Sequence, residues 1–136
     1  MIPASGRVLG VDWGSSRIGL AISDETQLIA TPLEVLRYRT GKRLPLGEFL
    51  TVIEREHPVG LVVGIPLDDH GREGASARSA RAMGTLFAER SRLPVAWIDE
   101  SFSTADVKHR AGPPVDAHAA AEILRRWLDG KVRSEK

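Results

Sequence analysis

Three carboxylates in this chain occupy positions where acids do chemistry. Asp12 closes the apolar run Val8–Val11 just before the turn Trp13-Gly14-Ser15-Ser16, Glu100 follows the apolar run Pro94–Ile98, and Asp116 opens an alanine-rich segment near the C-terminus. If the first run is a strand, its period of two puts Asp12 and Gly10 on one face and Leu9 and Val11 on the other. Counted from Asp116, Ala119, Ala120, Ile123 and Trp127 recur at helical spacing, so this acid shares the apolar stripe that packs against the rest of the protein. Asp99 and Glu100 are neighbours, and strand neighbours point to opposite faces, so one of them enters a shared site; Glu100 is taken as that residue, with Asp99 supporting it. Carboxylates converging in one pocket repel one another and need a proton or a cation between them. Oxygen-only ligands favour Mg²⁺ or Mn²⁺, and two such ions about 4 Å apart activate water and stabilise the leaving oxygen in phosphodiester hydrolysis. The expected chemistry is therefore that of a metal-dependent nuclease, with Asp12, Glu100 and Asp116 as both ligands and catalytic acids.

Taken singly, each acid has a plainer reading. Asp116 suits a helix start, Asp12 could hydrogen-bond its own turn, and Glu100 could be a loop residue. Asp24, Asp68 and Asp69 read as ordinary turn acids.

The elements that must position these acids are legible in order. Two or three strands run from Arg7 to about Val35 as a meander, with Asp24-Glu25 as a turn and Leu28-Ile29-Ala30 opening the third. Leu46, Phe49, Leu50 and Ile53 recur at helical spacing until Pro58. Gly60–Ile65 is a continuous apolar run stopped by Pro66, as expected of a central parallel strand. Ala80, Met83 and Phe87 mark a helix from Gly74 to near Arg92, Pro94–Ile98 is the last strand, and Val115–Leu128 is a helix ending at Gly130. The order βββαβαβα implies one mixed α/β sheet of five strands with helices packed on it, as a single domain over residues 1–136. Parallel strands joined by helices bring their carboxyl ends to one edge, where sites in such folds collect.

Composition narrows the function classes. The 136 residues carry 19 Lys and Arg against 18 Asp and Glu, a net charge of +1, which neither demands nor excludes a nucleic-acid partner. With no cysteine there is no disulfide and no thiolate nucleophile, and His57, His70, His109 and His118 lack zinc-ligand spacing, so any metal is held by oxygen. No apolar stretch reaches the roughly 20 residues that cross a bilayer, and the first residues do not resemble a secretory signal, so a cytoplasmic protein without a membrane partner is expected. Arg72, Arg78 and Arg81 lie in or just after one glycine-rich loop, where phosphate contacts compete with a solvated helix face as their explanation.

Four motifs, in this order, resemble the YqgF/RuvX family, Holliday-junction-resolvase-like members of the RNase H-like superfamily. They are Gly10-Val11-Asp12-x-Gly14-x-x-Arg17-Ile18-Gly19, Val63-Gly64-Ile65-Pro66 with Gly71 and Gly74, Asp99-Glu100 before Ser103-Thr104, and Val115-Asp116-x-x-Ala119-Ala120. The resemblance spans nearly the whole chain and implies an RNase H-like fold, nuclease action in maturing the 5′ end of pre-16S rRNA, and site acids at Asp12, Glu100 and Asp116. Two departures stand out: Ser101 follows the acid pair where the family usually has Arg or Lys, and the stretch from Thr104 to Asp116 is short.

The remaining candidates are substrate contacts: Arg17 and Arg72 to phosphate, Gly64 through close backbone approach, and Ser103 and Thr104 through hydroxyls or amides. Trp13 is expected to pack against the core rather than stack on a base. Two alternatives keep the fold, a ribosome-assembly factor that binds RNA without cutting it and a resolvase of branched DNA. An actin-like ATPase needs two lobes around its nucleotide, which this length does not supply. Single-strand processing suits a monomer, and junction resolution suits a homodimer.

Overall fold

The computed structural model describes residues 1–100 and 117–134. The strands are β1 (Val8–Asp12), β2 (Arg17–Ser23), β3 (Ala30–Arg37), β4 (Gly60–Pro66) and β5 (Val95–Glu100); the helices among the described residues are α1 (Leu46–Glu56), α2 (Ala75–Ser91) and α3 (Ala117–Ser134). The strands form one sheet in the order β3-β2-β1-β4-β5. β1 pairs antiparallel with β2, and β2 with β3, whereas β1 with β4 and β4 with β5 are parallel. The α/β fold with a mixed five-stranded sheet is thus as the sequence implies.

Alternation within the strands sorts the core into two layers. Leu9, Val11, Ile18, Leu20, Ile22, Leu61 and Val63 point to one face, where they meet Phe49 and Val52 of α1 and Met83 and Phe87 of α2. The rings of Phe49 and Phe87 stack with centroids 3.9 Å apart and join the two helices; such a pair contributes about 0.5–1.5 kcal/mol beyond its area burial. Val8, Ala21 and Val62 point to the opposite face and pack on Ala120, Ala121, Ile123, Leu124 and Leu128 of α3. Because both faces are covered, every residue of β1 is buried and β4 is buried up to Pro66.

α3 comes unusually close to the sheet. A Cβ on Gly10 would lie 2.9 Å from the Ala120 carbonyl oxygen and 2.9 Å from Leu124 Cβ. The missing side chain of Gly10 thus lets the α3 backbone at Ala120 and the Leu124 side chain come down onto β1.

Three boundaries differ from expectation. β5 continues through Asp99 to Glu100, so Glu100 is the last residue of the strand and does not follow it. α3 runs on past Gly130 to Ser134; a terminating glycine takes a positive φ, and Gly130 does not. β3 begins at Ala30, leaving Leu28 and Ile29 exposed in the preceding turn.

Candidate active site

β1, β4 and β5 are parallel, so their carboxyl ends share one edge. Asp12 ends β1 on the same side as Gly10, facing the α3 layer. On β5, Ala96 and Ile98 pack into the α3 layer, and Glu100 continues their alternation onto that face. Asp12 and Glu100 are 6% and 5% exposed, which makes them the two buried acids among the described residues.

Gly64 brings the two acids together. The register pairs Val11 with Val63, and its next step sets Gly64 of β4 beside Asp12 of β1. The Glu100 side chain folds back over this glycine: a Cβ on Gly64 would lie 2.5 Å from Glu100 Oε1 and 2.6 Å from Ile123 Cδ1 of α3. The Glu100 carboxylate thus rests over β4, one strand from Asp12. Adjacent strands lie about 4.8 Å apart, so two acids that start two strands apart close to about one strand spacing. Buried carboxylates at that separation require hydrogen bonds, protons or a cation, and their hard oxygens suit a divalent cation.

Asp99 points the other way. It is exposed and lies within the field of Arg81 on α2. Arg81 is engaged there: its guanidinium forms a two-pronged pair with Glu73, at 2.7 and 2.6 Å, and lies 5.2 Å from the Trp97 ring centroid. That pair lowers the Glu73 carboxyl and raises the Arg81 guanidinium relative to their ordinary values. Arg81, one of three arginines weighed for phosphate contact, is committed to this local structure.

The turn after Asp12 is latched. The Tyr38 phenol donates to the Gly14 carbonyl at 2.5 Å, and its backbone N–H donates to the Ser16 carbonyl at 3.0 Å. Burial pushes the Tyr38 phenol up, against the lowering effect of its hydrogen bond with Trp13. Trp13 itself packs against the core. Periodicity gave no sign of Tyr38, because its partners lie across a strand pairing whose register the sequence does not spell out.

Arg17 opens β2 at the same sheet edge, half-buried. Arg72 is exposed in the loop that leaves β4. Asp68 organises that loop by accepting from the backbone N–H of His70 and of Arg72, each at 2.9 Å, and these bonds lower its carboxyl. Asp68 is the turn acid it was read to be. Asp116, Ser101, Ser103, Thr104 and the shortened 105–115 stretch lie outside the described residues. Among the described residues no group of three potential metal ligands occurs, and no helix is long and apolar enough to cross a membrane.

Comparisons with known proteins follow the same lines. Residues 6–130 match the family model described as RuvX: Holliday junction resolvase. A relative from Anaeromyxobacter sp., named "Putative pre-16S rRNA nuclease", is 43% identical over 92% of this chain and 98% of its own length. One of the same name from Paramagnetospirillum magneticum is 36% identical over 92% of this chain and 86% of its own. Structures of Thermus thermophilus RuvC, alone and in complex with a Holliday junction substrate, superpose with a TM-score of 0.57 at 18% identity, covering 93% of this chain and 96% of theirs. That likeness gives the fold as RNase H-like.

Proposed function

Because the chain belongs to the RuvX family, we propose that it is a nuclease that hydrolyses phosphodiester bonds in precursor 16S rRNA, at the 5′ end, in the cytoplasm. The observation that carries this reading is the buried pair of Asp12 and Glu100, drawn together over Gly64 at the edge where the parallel strands end. The names of the relatives supply the substrate class.

Asp12 and Glu100 would hold a divalent cation, Mg²⁺ or Mn²⁺, with Asp116 as a third carboxylate on the strength of its place in the sequence. When bound, such an ion lowers the pKa of water and stabilises charge on a phosphoryl oxygen. The chain's own residues do the positioning. Gly64 leaves room for the Glu100 carboxylate and for Ile123 of α3, and the latch from Tyr38 to Gly14 fixes the turn that presents Asp12. In the reaction, water adds to phosphorus and one P–O ester bond breaks. Arg17, Arg72 and the hydroxyls of Ser103 and Thr104 are proposed contacts to substrate phosphates.

The test is cleavage of end-labelled precursor 16S rRNA, unrelated single-stranded RNA and a four-way DNA junction, in Mg²⁺, Mn²⁺ or EDTA. The expected result is cutting within the 5′ extension of the precursor that EDTA abolishes. Preferential cutting of the junction would make the protein a resolvase. RNA binding without cutting in either metal would contradict the proposal and leave an assembly factor.

A further inference from the structure

The sheet edge that carries Asp12 and Glu100 also carries positive charge that, among the described residues, has no ion-pair partner. In the β2–β3 register Arg17 stands directly opposite Arg37. Directly opposed residues share a face with Cβ atoms about 4.5–5.5 Å apart, and like charges so placed are destabilising. Ile18 and Leu36 form the next pair and point into the α1/α2 layer. Arg17 and Arg37 therefore rise on the other face, the one that carries Asp12 and Glu100.

Arg39, Lys42 and Arg43 follow, all exposed, and no acid occurs between Glu34 and Glu48. Among the described residues the ion pairs of arginine involve Arg7, Arg55 and Arg81, and none involves these five cations. The five positive charges are thus concentrated in two short segments of a chain whose net charge is only +1.

This cationic edge is fixed relative to the acids. Tyr38, between Arg37 and Arg39, is bonded to Gly14 and Ser16 of the turn after Asp12, and the Lys42 N–H closes a turn onto the Arg39 carbonyl at 2.9 Å. Asp12 pairs with Gly19, and Arg17 lies two residues beyond Gly19, about 7 Å further along β2. A cation pair held at a sheet edge against its own repulsion suits an anionic partner, and planar guanidiniums on a common face suit successive phosphates.

We propose that Arg17, Arg37 and the turn containing Arg39, Lys42 and Arg43 form a phosphate-binding rim. It holds a single nucleic-acid strand on the β2–β3 side of Asp12 by its backbone and without sequence preference. The inference rests on the nuclease reading and extends it by placing the strand to one side of the acid pair.

The experiment is binding of fluorescently labelled single-stranded RNA of about 20 nucleotides to Asp12→Asn protein, by anisotropy between about 50 and 200 mM salt. Arg17→Ala/Arg37→Ala should weaken binding at least about tenfold and reduce the salt slope by about 1.4, at about 0.7 per lost single-strand phosphate contact. Arg37→Gln alone, at an exposed position, should reduce the slope by about 0.7 and keeps the test open if the double variant folds poorly. Arg90→Ala/Arg92→Ala, where α2 turns back to the start of β5 at the opposite sheet edge, should leave affinity and slope unchanged. An unchanged slope in the rim variants, or an equal loss in the Arg90/Arg92 control, overturns the rim. If wild-type protein still cuts RNA in that case, the nuclease reading stands; if it neither binds nor cuts, both fall.

Discussion

Glu100 reaches its position because Gly64 has no side chain. The atoms that a methyl group on Gly64 would meet are Glu100 Oε1 at 2.5 Å and Ile123 Cδ1 at 2.6 Å, both the far ends of side chains. Gly64→Ala should therefore move the carboxylate more than the fold. The expected outcome is a fall in cleavage of at least about tenfold, with destabilisation near the lower end of the roughly 1–3 kcal/mol typical of overpacking. Cleavage rate and thermal melting of the purified variant check it. Gly10→Ala provides the contrast, because its methyl would meet the Ala120 backbone carbonyl at 2.9 Å and can be accommodated only if α3 shifts. Much of this scale was legible beforehand. A strand ending before a glycine turn singled out Asp12, and alternation showed that only one of Asp99 and Glu100 enters a shared site without showing which. The fold-back of Glu100 over Gly64 and the Tyr38 latch were not legible, since both depend on which residue of one strand faces which residue of another.

The β2–β3 hairpin shows how an element can be held by one carboxylate. Asp24 accepts from the backbone N–H groups of Leu28 and Ile29, each at 2.9 Å, and from the Thr26 hydroxyl. The Thr26 bond first, then those from Ile29 and Leu28, hold its carboxyl at about 2 against an ordinary 3.8. A lowered folded pKa means that the ionised form stabilises the fold. That contribution is complete above the unfolded value and is lost as pH falls from 3.8 toward 2. Asp24→Asn should therefore melt below wild type at neutral pH, and the gap should narrow through that acid window. A gap independent of pH would show that the turn does not draw on the charge. At this scale the βββαβαβα order was readable from apolar periodicity, and the ends were less so. Gly130 looked like a helix stop in sequence yet continues α3, because glycine ends a helix only where the chain takes a left-handed turn. The meander placed β2 between β1 and β3, as observed, whereas the pairing of β4 with the other side of β1 was not written in any single segment.

At the scale of the described residues, the sheet lies between two helical layers. α1 and α2 cover one face and α3 the other, while the ends of β1, β4 and β5, the start of β2 and the end of β3 meet at a common edge. Acids occupy its middle and cations its β2–β3 flank, a division invisible in a net charge of +1. Under the proposed function, Asp12 and Glu100, far apart in sequence, act as one unit. Residues that act as one unit lose function non-additively. The most direct test is single-turnover cleavage of precursor rRNA in Mn²⁺ by Asp12→Asn, Glu100→Gln and the double variant, each confirmed folded by its melting curve. The prediction is that each single change lowers the rate at least about 100-fold and that the double variant is no slower than the worse single by more than about threefold. Rates that fall multiplicatively, or full cleavage by either single variant, would contradict a shared site.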